Sequence, residues 1–513
     1  MNSGELAEIV RVDVDSEVRD LVARMVRHPA GQVSASTYET ARLVSLAPWL
    51  TGHHRRVRHL VGTQRADGGW GTEDPYGLVP TVSATEALLT VVRTGSAPGL
   101  DTVTRAASRA VTGLADRLGD VRALPDTPAI DLIVPALMGA INEHLADPPP
   151  GLPRTRLPLP PGMTGARLAA VRDRVAARAP LHPKLHHAVE VVADLLRDLP
   201  GLTPLPSGTV GASPAATAAW LAAQDRPDAH PAALSYLEAA VRPLGGLAPC
   251  TTPIAVFERA WVLSTLTRAG LPVTVPAEVV RSLTADLGPT GVATSPGLPP
   301  DADTTAVTLY ALMRLGVAVD PDCLWPYETG AGFCTWPGED GLSVTTNAHV
   351  LDALGQHLAD GAGHDRHHHA VDRLQRLLLD RQDTDGAWRD RWHASPYYAT
   401  LCCALALHSY GHPTAVAPAV TRAARWVVDT QRADGSWGRS DGTAEETAYA
   451  LHLLSTAASD PDTAAAVARG HAYLVGVDDG EEGLPLWHDK DLYRPDLIVR
   501  AAVLVARHLA APA

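Results

Sequence analysis

Apolar residues recur along this chain at i, i+3, i+4 and i+7, the spacing that lines one face of an α-helix. The pattern is plain at 83–94 (SATEALLTVVRT), 304–316 (TTAVTLYALMRLG) and 446–457 (ETAYALHLLSTA). Two-residue alternation is scarce, and short Gly, Pro and Asp turns separate the helical stretches. The pattern therefore predicts an all-α protein of many helices joined by short loops, with no support for a parallel sheet. Two proline-rich stretches, 147–162 and 200–208, read as surface connectors.

A unit repeats between these helices: Gln64 to Gly71 (QRADGGWG), Gln382 to Trp388 (QDTDGAW) and Gln431 to Gly438 (QRADGSWG). Glycine can end a helix in a left-handed turn, aspartate can cap neighbouring amides, and the glutamine amide and tryptophan ring can tie that turn to the next helix. Turn residues and a packed aromatic account for every member, so the unit is expected to be scaffold.

The chain has 513 residues, more than one hydrophobic core usually fills, so two domains are expected. A formal charge of −14 argues against a nucleic-acid partner. The five cysteines form no CxxC pair, no apolar stretch is long enough to span a bilayer, and the acidic N-terminus is unlike a signal peptide. These features predict a reduced, cytoplasmic protein. Of 43 basic residues, 41 are arginine and two are lysine, Lys184 and Lys490. A lysine kept in that background suits a compact, strongly hydrated point charge. His364 and His367 to His369 form a histidine-rich tract without a cysteine or carboxylate set in the sequence, and are expected to be exposed.

Two carboxylates, Asp301 and Asp303, stand at the entrance of the apolar helix that starts near residue 304. Helix capping by itself explains such a pair. The surrounding motifs carry a stronger message. DADTTA (301–306) resembles the DxDD signature of the class II terpene cyclases, the family that includes squalene-hopene cyclases and copalyl diphosphate synthases, with Thr304 at the fourth position. The QxxDGxW units resemble that family's QW motifs. SASTYETA (34–41), GGLAP with FERAW (245–261) and LWHDKDLYRP (486–495) resemble further stretches of its members in the same order.

The resemblance implies two α/α-barrel domains in a βγ arrangement: β from 1–32 plus 246–513, and γ from 33–245, inserted after the first helix, with the active cavity between them. It puts the proton donor on Asp303, with Asp301 and Thr304 beside it and Asn347 holding its carboxyl group. A carbocation needs an aromatic cavity, for which Phe257, Trp261, Trp325, Tyr327, Phe333 and Trp336 are candidates. Lys490, Arg494 and Lys184 are candidates for gripping a diphosphate, and Asp126 and Asp131 for associating with Mg2+ bound to it. His186 roughly matches the histidine of a plant deprotonating dyad whose other position is near Ala232 here.

The implied substrate is an acyclic prenyl diphosphate whose diphosphate survives, for a downstream phosphatase or class I synthase to consume. The DxDTT form resembles drimane-forming cyclases, so farnesyl diphosphate giving drimenyl diphosphate is expected, with geranylgeranyl diphosphate giving a copalyl-type or rearranged bicycle as the alternative. An α/α-barrel glycan enzyme is a poorer match, since its acid and base usually sit on separate segments across a cleft. A prenyl-binding protein without catalysis would have no need of Asp303.

Overall fold

A computed structural model describes residues 3–72, 75–121, 124–457, 460–477 and 483–511. It is built almost wholly of helices arranged as two α-barrels. In the larger barrel, six helices form a closed inner ring, each packed on the next: Ala255–Arg268, Ala302–Arg314, Val344–Ala359, Pro396–Tyr410, Ala444–Ala457 and Asp496–Leu509, the last closing on the first. These helices are apolar around most of their circumference, and Val344–Ala359 is buried from Val344 through His357. Helices such as Asp365–Asp380 and Pro413–Asp429 bury one stripe only and form the outer layer, as amphipathic sequences must. The N-terminal helix, Ser3–Arg27, packs on this barrel and contributes Val18, Leu21, Val22 and Met25 to its core.

The smaller barrel repeats the plan with five inner segments: Thr37–Leu46, Leu78–Thr94, Ile130–Ala146, the 3-10 segment Pro183–Leu195, and Pro214–Ala222, which returns to Thr37–Leu46. Its apolar side chains form two clusters spanning Tyr38 to Val241 and ending at Ala248, separate from the large core that holds Val14 to Val33 and Cys250 to Ala510.

The repeated units are the clamps their composition predicts. In each, the tryptophan Nε1 donates to a carbonyl of the preceding helix: Trp70 to Leu60 at 2.7 Å, Trp388 to Leu378 at 2.8 Å and Trp437 to Val427 at 2.7 Å. Each glutamine amide bridges its own turn to an outer helix, as Gln431 Nε2 does to Gly435 O and Ala466 O, both at 2.9 Å. The glycine is obligatory on two counts. Gly435 sits at φ 88°, and a Cβ there would lie 2.6 Å from the Arg469 carbonyl oxygen.

One departure from the all-helical expectation bears on the site. Trp487–His488 and Leu492–Tyr493 pair as a short antiparallel hairpin, in register Trp487 with Tyr493. The hairpin is buried and projects its turn against the smaller barrel, where backbone bonds of Asp489 and Lys490 rather than helical periodicity set its shape. Among the described residues, no helix is long and apolar enough to cross a membrane.

Candidate active site

Asp301 caps the inner helix Ala302–Arg314. Its Oδ1 accepts from the Thr304 backbone N–H at 2.6 Å, and its Oδ2 accepts from the Thr294 hydroxyl at 3.0 Å. Burial drives its pKa up to about 7, the Thr304 amide bond opposes the rise, and the neighbouring Asp303 charge adds to it. The Thr304 hydroxyl, in the place of a carboxylate, lies 2.8 Å from the Thr294 hydroxyl. A neutral hydroxyl pair thus replaces a third negative charge.

Asp303, two residues on, turns to the other side of the helix entrance. Its Oδ1 lies 2.7 Å from Nδ1 of His349 on the adjacent inner helix. Burial alone would keep His349 neutral, but the Asp303 charge and hydrogen bond outweigh it and hold the imidazole well above its usual range. The indole of Trp261 meets the His349 ring edge-on at 5.5 Å, and Trp261 Nε1 donates to Tyr398 Oη at 2.8 Å, which fixes the ring's surroundings.

Asn347, expected to hold the acid, does not. Two residues apart on an α-helix is about 200° of rotation, so Asn347 and His349 point to nearly opposite sides. Asn347 Nδ2 donates to Phe333 O at 2.9 Å and to Ser343 O at 2.7 Å, while its Oδ1 accepts from Phe333 N at 2.8 Å. It pins the 329–335 loop, and His349 occupies the position against Asp303. The signal that could have found His349 is its place two residues past Asn347 in SVTTNAH.

Asp301, Asp303 and Thr304 open onto a cavity of about 760 Å³ between the two barrels. Such a volume is in the range of a small-molecule site. The larger barrel supplies Phe257, Trp336, Trp392, Trp487 and Tyr493 to its walls, and the smaller barrel supplies Ala129, Ile130, Leu132, Leu185 and Ala188. Phe257 stands edge-on to Trp487 at 5.5 Å. Of the aromatic candidates, then, Phe257 and Trp336 line this cavity. Trp261 faces a smaller space of about 70 Å³ that His349 also lines. Trp325, Tyr327 and Phe333 lie elsewhere: Trp325 is covered by the Arg366 guanidinium at 3.9 Å, Tyr327 Oη donates to Thr290 O at 2.7 Å, and Phe333 is sealed in the core. Sequence proximity to the acid placed them near its helix, on the side that packs rather than the side that opens. Trp392, Trp487 and Tyr493 were missed because only the tertiary fold brings 391–392 and the hairpin to the cavity.

A charged rim borders the same space. The Lys184 ammonium sits over the Trp336 ring at 4.6 Å, its pKa lowered by burial. Arg391 donates to Asp126 at 2.9 Å, and Arg167 pairs with Asp131 at 3.0 Å and Asp340 at 2.6 Å. Asp126 and Asp131 therefore line the cavity as partners of arginines rather than as a preformed metal cage. Mg2+ needs no such cage, since one or two carboxylates and the phosphates of a substrate can complete its octahedron. The rim's donor set, carboxylates interleaved with cations, fits a magnesium diphosphate.

The other two cationic candidates are excluded from the rim. Lys490 has no solvent exposure: its Nζ is paired with Glu39, with Glu190 at 2.9 Å and with Ser213 Oγ at 2.8 Å, and it donates to His187 O at 2.8 Å. It is a bolt between the barrels, with every proton on its ammonium directed at protein oxygens. Arg494 binds Asp496 at 3.0 Å and faces a separate surface recess that includes Asp20 and Arg24. His186 does not line the cavity; its neighbour His187 does. The histidine tract is exposed at His364, His368 and His369, as expected, but His367 is buried beneath the start of its helix. Asp322, His364 and His367 offer atoms within 4.8 Å of one another, but the His364 backbone N–H donates to His367 Nδ1 at 3.2 Å, so in the neutral ring Nε2 carries the proton and faces Asp322 as a donor.

Residues 339–491 match the Squalene-hopene cyclase C-terminal domain. The chain is 43% identical over 490 residues to the ent-copalyl diphosphate synthase of Streptomyces sp. (strain KO-3988), covering 95% of this chain and 94% of that one. It is also 43% identical to the labda-7,13-dienyl diphosphate synthase of Streptomyces clavuligerus, over 97% and 94% of the two chains. The structure of ent-copalyl diphosphate synthase from Streptomyces platensis superimposes with a TM-score of 0.92 at 44% identity, covering 98% of this chain and 100% of that one. With a double barrel, three clamped QxxDGxW turns and a DxDTT motif at the wall of a cavity between the barrels, the chain belongs to the class II terpene cyclases of the squalene-hopene cyclase superfamily.

Proposed function

We propose that Asp303 protonates the terminal alkene of an acyclic prenyl diphosphate and that the resulting cation closes two rings while the diphosphate stays in place. The observation that carries this reading is the hydrogen bond from His349 to Asp303 Oδ1 at the wall of an aromatic cavity. An alkene is a weak base, so the donor must be strong and kept from water. A proton on Oδ2 of Asp303 meets both needs: when it leaves, the new carboxylate is held at Oδ1 by the His349 Nδ1–H, a hydrogen bond that favours the charged form and so stabilises the conjugate base and strengthens the acid. Asp301, its pKa raised by burial to about 7, is partly neutral near neutral pH, which lessens the negative charge that opposes ionisation.

The rim residues Lys184, Arg167 and Arg391 would receive the diphosphate, and Mg2+ held by Asp126 or Asp131 would neutralise part of its charge. We assign the γ barrel to 33–245 and the β barrel to 1–32 plus 246–513, so that the substrate lies between them. The retained diphosphate would pass to a phosphatase or a class I synthase.

Geranylgeranyl diphosphate is the better supported substrate, because the similar Streptomyces proteins are named for copalyl and labdadienyl diphosphates. The comparisons lend no support to the expected farnesyl substrate. One observation keeps drimenyl diphosphate as a second reading: Thr304 and its partner Thr294 make the acid's surroundings less negative than a DxDD motif would. Incubation with each diphosphate, followed by phosphatase and mass spectrometry of the alcohols, tests both. A bicyclic C20 alcohol supports the first, a bicyclic C15 alcohol the second, and turnover of neither defeats the cyclase reading.

A further inference from the structure

The cavity holds a second buried ion pair that initiation does not use. Asp489, in the hairpin turn, and His187, on the smaller barrel, both line the space into which Asp303 opens. His187 Nε2 lies 2.8 Å from Asp489 Oδ1, and His187 Nδ1 lies 2.6 Å from Gly211 O. A carbonyl can only accept, so Nδ1 carries a proton. Burial opposes charge on the ring, but Asp489 outweighs it and raises the His187 pKa. Burial likewise opposes charge on Asp489, and His187 and the Lys490 ammonium outweigh it and depress that pKa. The pair is an imidazolium and a carboxylate, and with both ring nitrogens donating, His187 has no lone pair to offer.

Asp489 does. Its bonds from His187 and from the Lys490 backbone N–H at 2.6 Å both fall on Oδ1, which leaves Oδ2 as the oxygen offered to the cavity. The Tyr493 phenol, also in the wall, feels the charges of both Asp489 and Asp303. The two carboxyl groups therefore border one region. The other anionic groups are engaged: Asp301 caps its helix, Asp126, Asp131 and Asp340 pair with arginines, and Glu339 accepts from the Thr335 backbone N–H and lies 3.7 Å from Arg391. His488 also lines the cavity, with its Nδ1 donating to Arg391 O at 2.6 Å, but its Nε2 is buried and burial lowers its pKa to about 3.

We propose that Asp489 is the base that ends the reaction. A C–H bond next to the bicyclic cation breaks, its electron pair becomes the carbon–carbon double bond, and the proton passes to Oδ2 of Asp489. One proton enters from Asp303 and one leaves to Asp489, so the substrate is isomerised and both groups exchange back with solvent when product departs. A depressed carboxylate pKa is no obstacle, because a C–H beside a carbocation is far more acidic than any carboxylic acid and position decides the outcome. His187 is then a positioning residue that holds Oδ1 and keeps the carboxylate charged.

This inference rests on the cyclase reading, and product identity separates the two. The full-length Asp489→Asn and Asp489→Ala variants are incubated with geranylgeranyl and farnesyl diphosphates beside the parent, and the dephosphorylated products are resolved by mass spectrometry. The parent's alkene should fall at least tenfold as a share of product, replaced by isomeric alkenes or by bicyclic alcohols from water capture. Asp489→Glu should restore the parent alkene in part. Composition is read from whatever fraction is folded, so a lowered melting temperature does not obscure it. The parent alkene as sole product of Asp489→Asn and Asp489→Ala, at any rate, overturns the assignment. So does loss of all turnover in variants that melt like the parent, since the first protonation needs no terminating base. A parent that turns over neither diphosphate defeats the cyclase reading instead.

Discussion

Asp303 and His349 share a 2.7 Å hydrogen bond between two adjacent helices of the inner ring, one at the first turn and the other beyond the first turn of its helix. Rigid neighbours thus fix the Asp303 carboxyl group and leave Oδ2 as the oxygen that His349 does not hold. Asp303→Asn keeps the shape and removes the acid, and turnover should vanish with the melting temperature little changed. His349→Gln should keep a hydrogen-bond donor but lose the cation, lowering kcat by about a hundredfold with KM nearly constant, within the span of general acid catalysis. Steady-state kinetics on both variants checks this; an unchanged kcat in His349→Gln removes histidine from the acid.

Asp301 should make stability fall as pH rises. Its folded pKa of about 7 exceeds the unfolded value of 3.8, so between those pH values the folded protein holds a proton that the unfolded chain has shed. Raising pH through that window costs stability, on the order of a few kcal/mol at most. Asp301→Asn still caps the helix but does not titrate. Urea unfolding from pH 4 to 8 should show the parent losing ground to this variant up to about pH 7, and parallel curves would contradict the buried acid.

Lys490 is expected to act on stability. Removing its ammonium strands Glu39 and Glu190 in a dry interface, and breaking a buried pair typically costs about 3–5 kcal/mol. Lys490→Met should unfold at markedly lower urea. Affinity for a prenyl diphosphate at a temperature where the variant is folded should stay within about threefold of the parent, because no charge-assisted contact to phosphate is lost. A hundredfold loss of diphosphate affinity with normal stability would return Lys490 to the anion site.

Asn347→Ala leaves the Phe333 amide and carbonyl unsatisfied inside the protein. Each stranded buried group costs about 1–3 kcal/mol, so a clear drop in melting temperature is expected. Product identity should be unaltered, since Asp303 does not touch Asn347.

For the rim, Lys184→Ala should weaken diphosphate binding about tenfold to a hundredfold, while binding of the matching prenyl alcohol barely changes. Titrations with both ligands at two salt concentrations decide it. Equal affinity for both ligands in parent and variant would clear Lys184 of the role.

Much of this was written in the sequence. Helical period fixed the fold class, because a face that repeats every 3.6 residues can be buried only by neighbouring helices. The QxxDGxW units declared their own role, since each bond they make is local or reaches one helix away. The motif at 301–306 announced the capped helix start for the same reason, since a cap is a short-range structure. What lay beyond was decided by packing. Nothing in the period of Val344–Ala359 says that its ring-facing position is His349 and its loop-facing position Asn347. Two lysines among 41 arginines look equally special in composition, yet one lines the cavity and the other is sealed between two glutamates, because burial depends on which barrel surface meets the hairpin. Arg167, Arg391, Trp392, Trp487 and Asp489 come from distant segments, and only the closure of two barrels against each other puts them around one cavity.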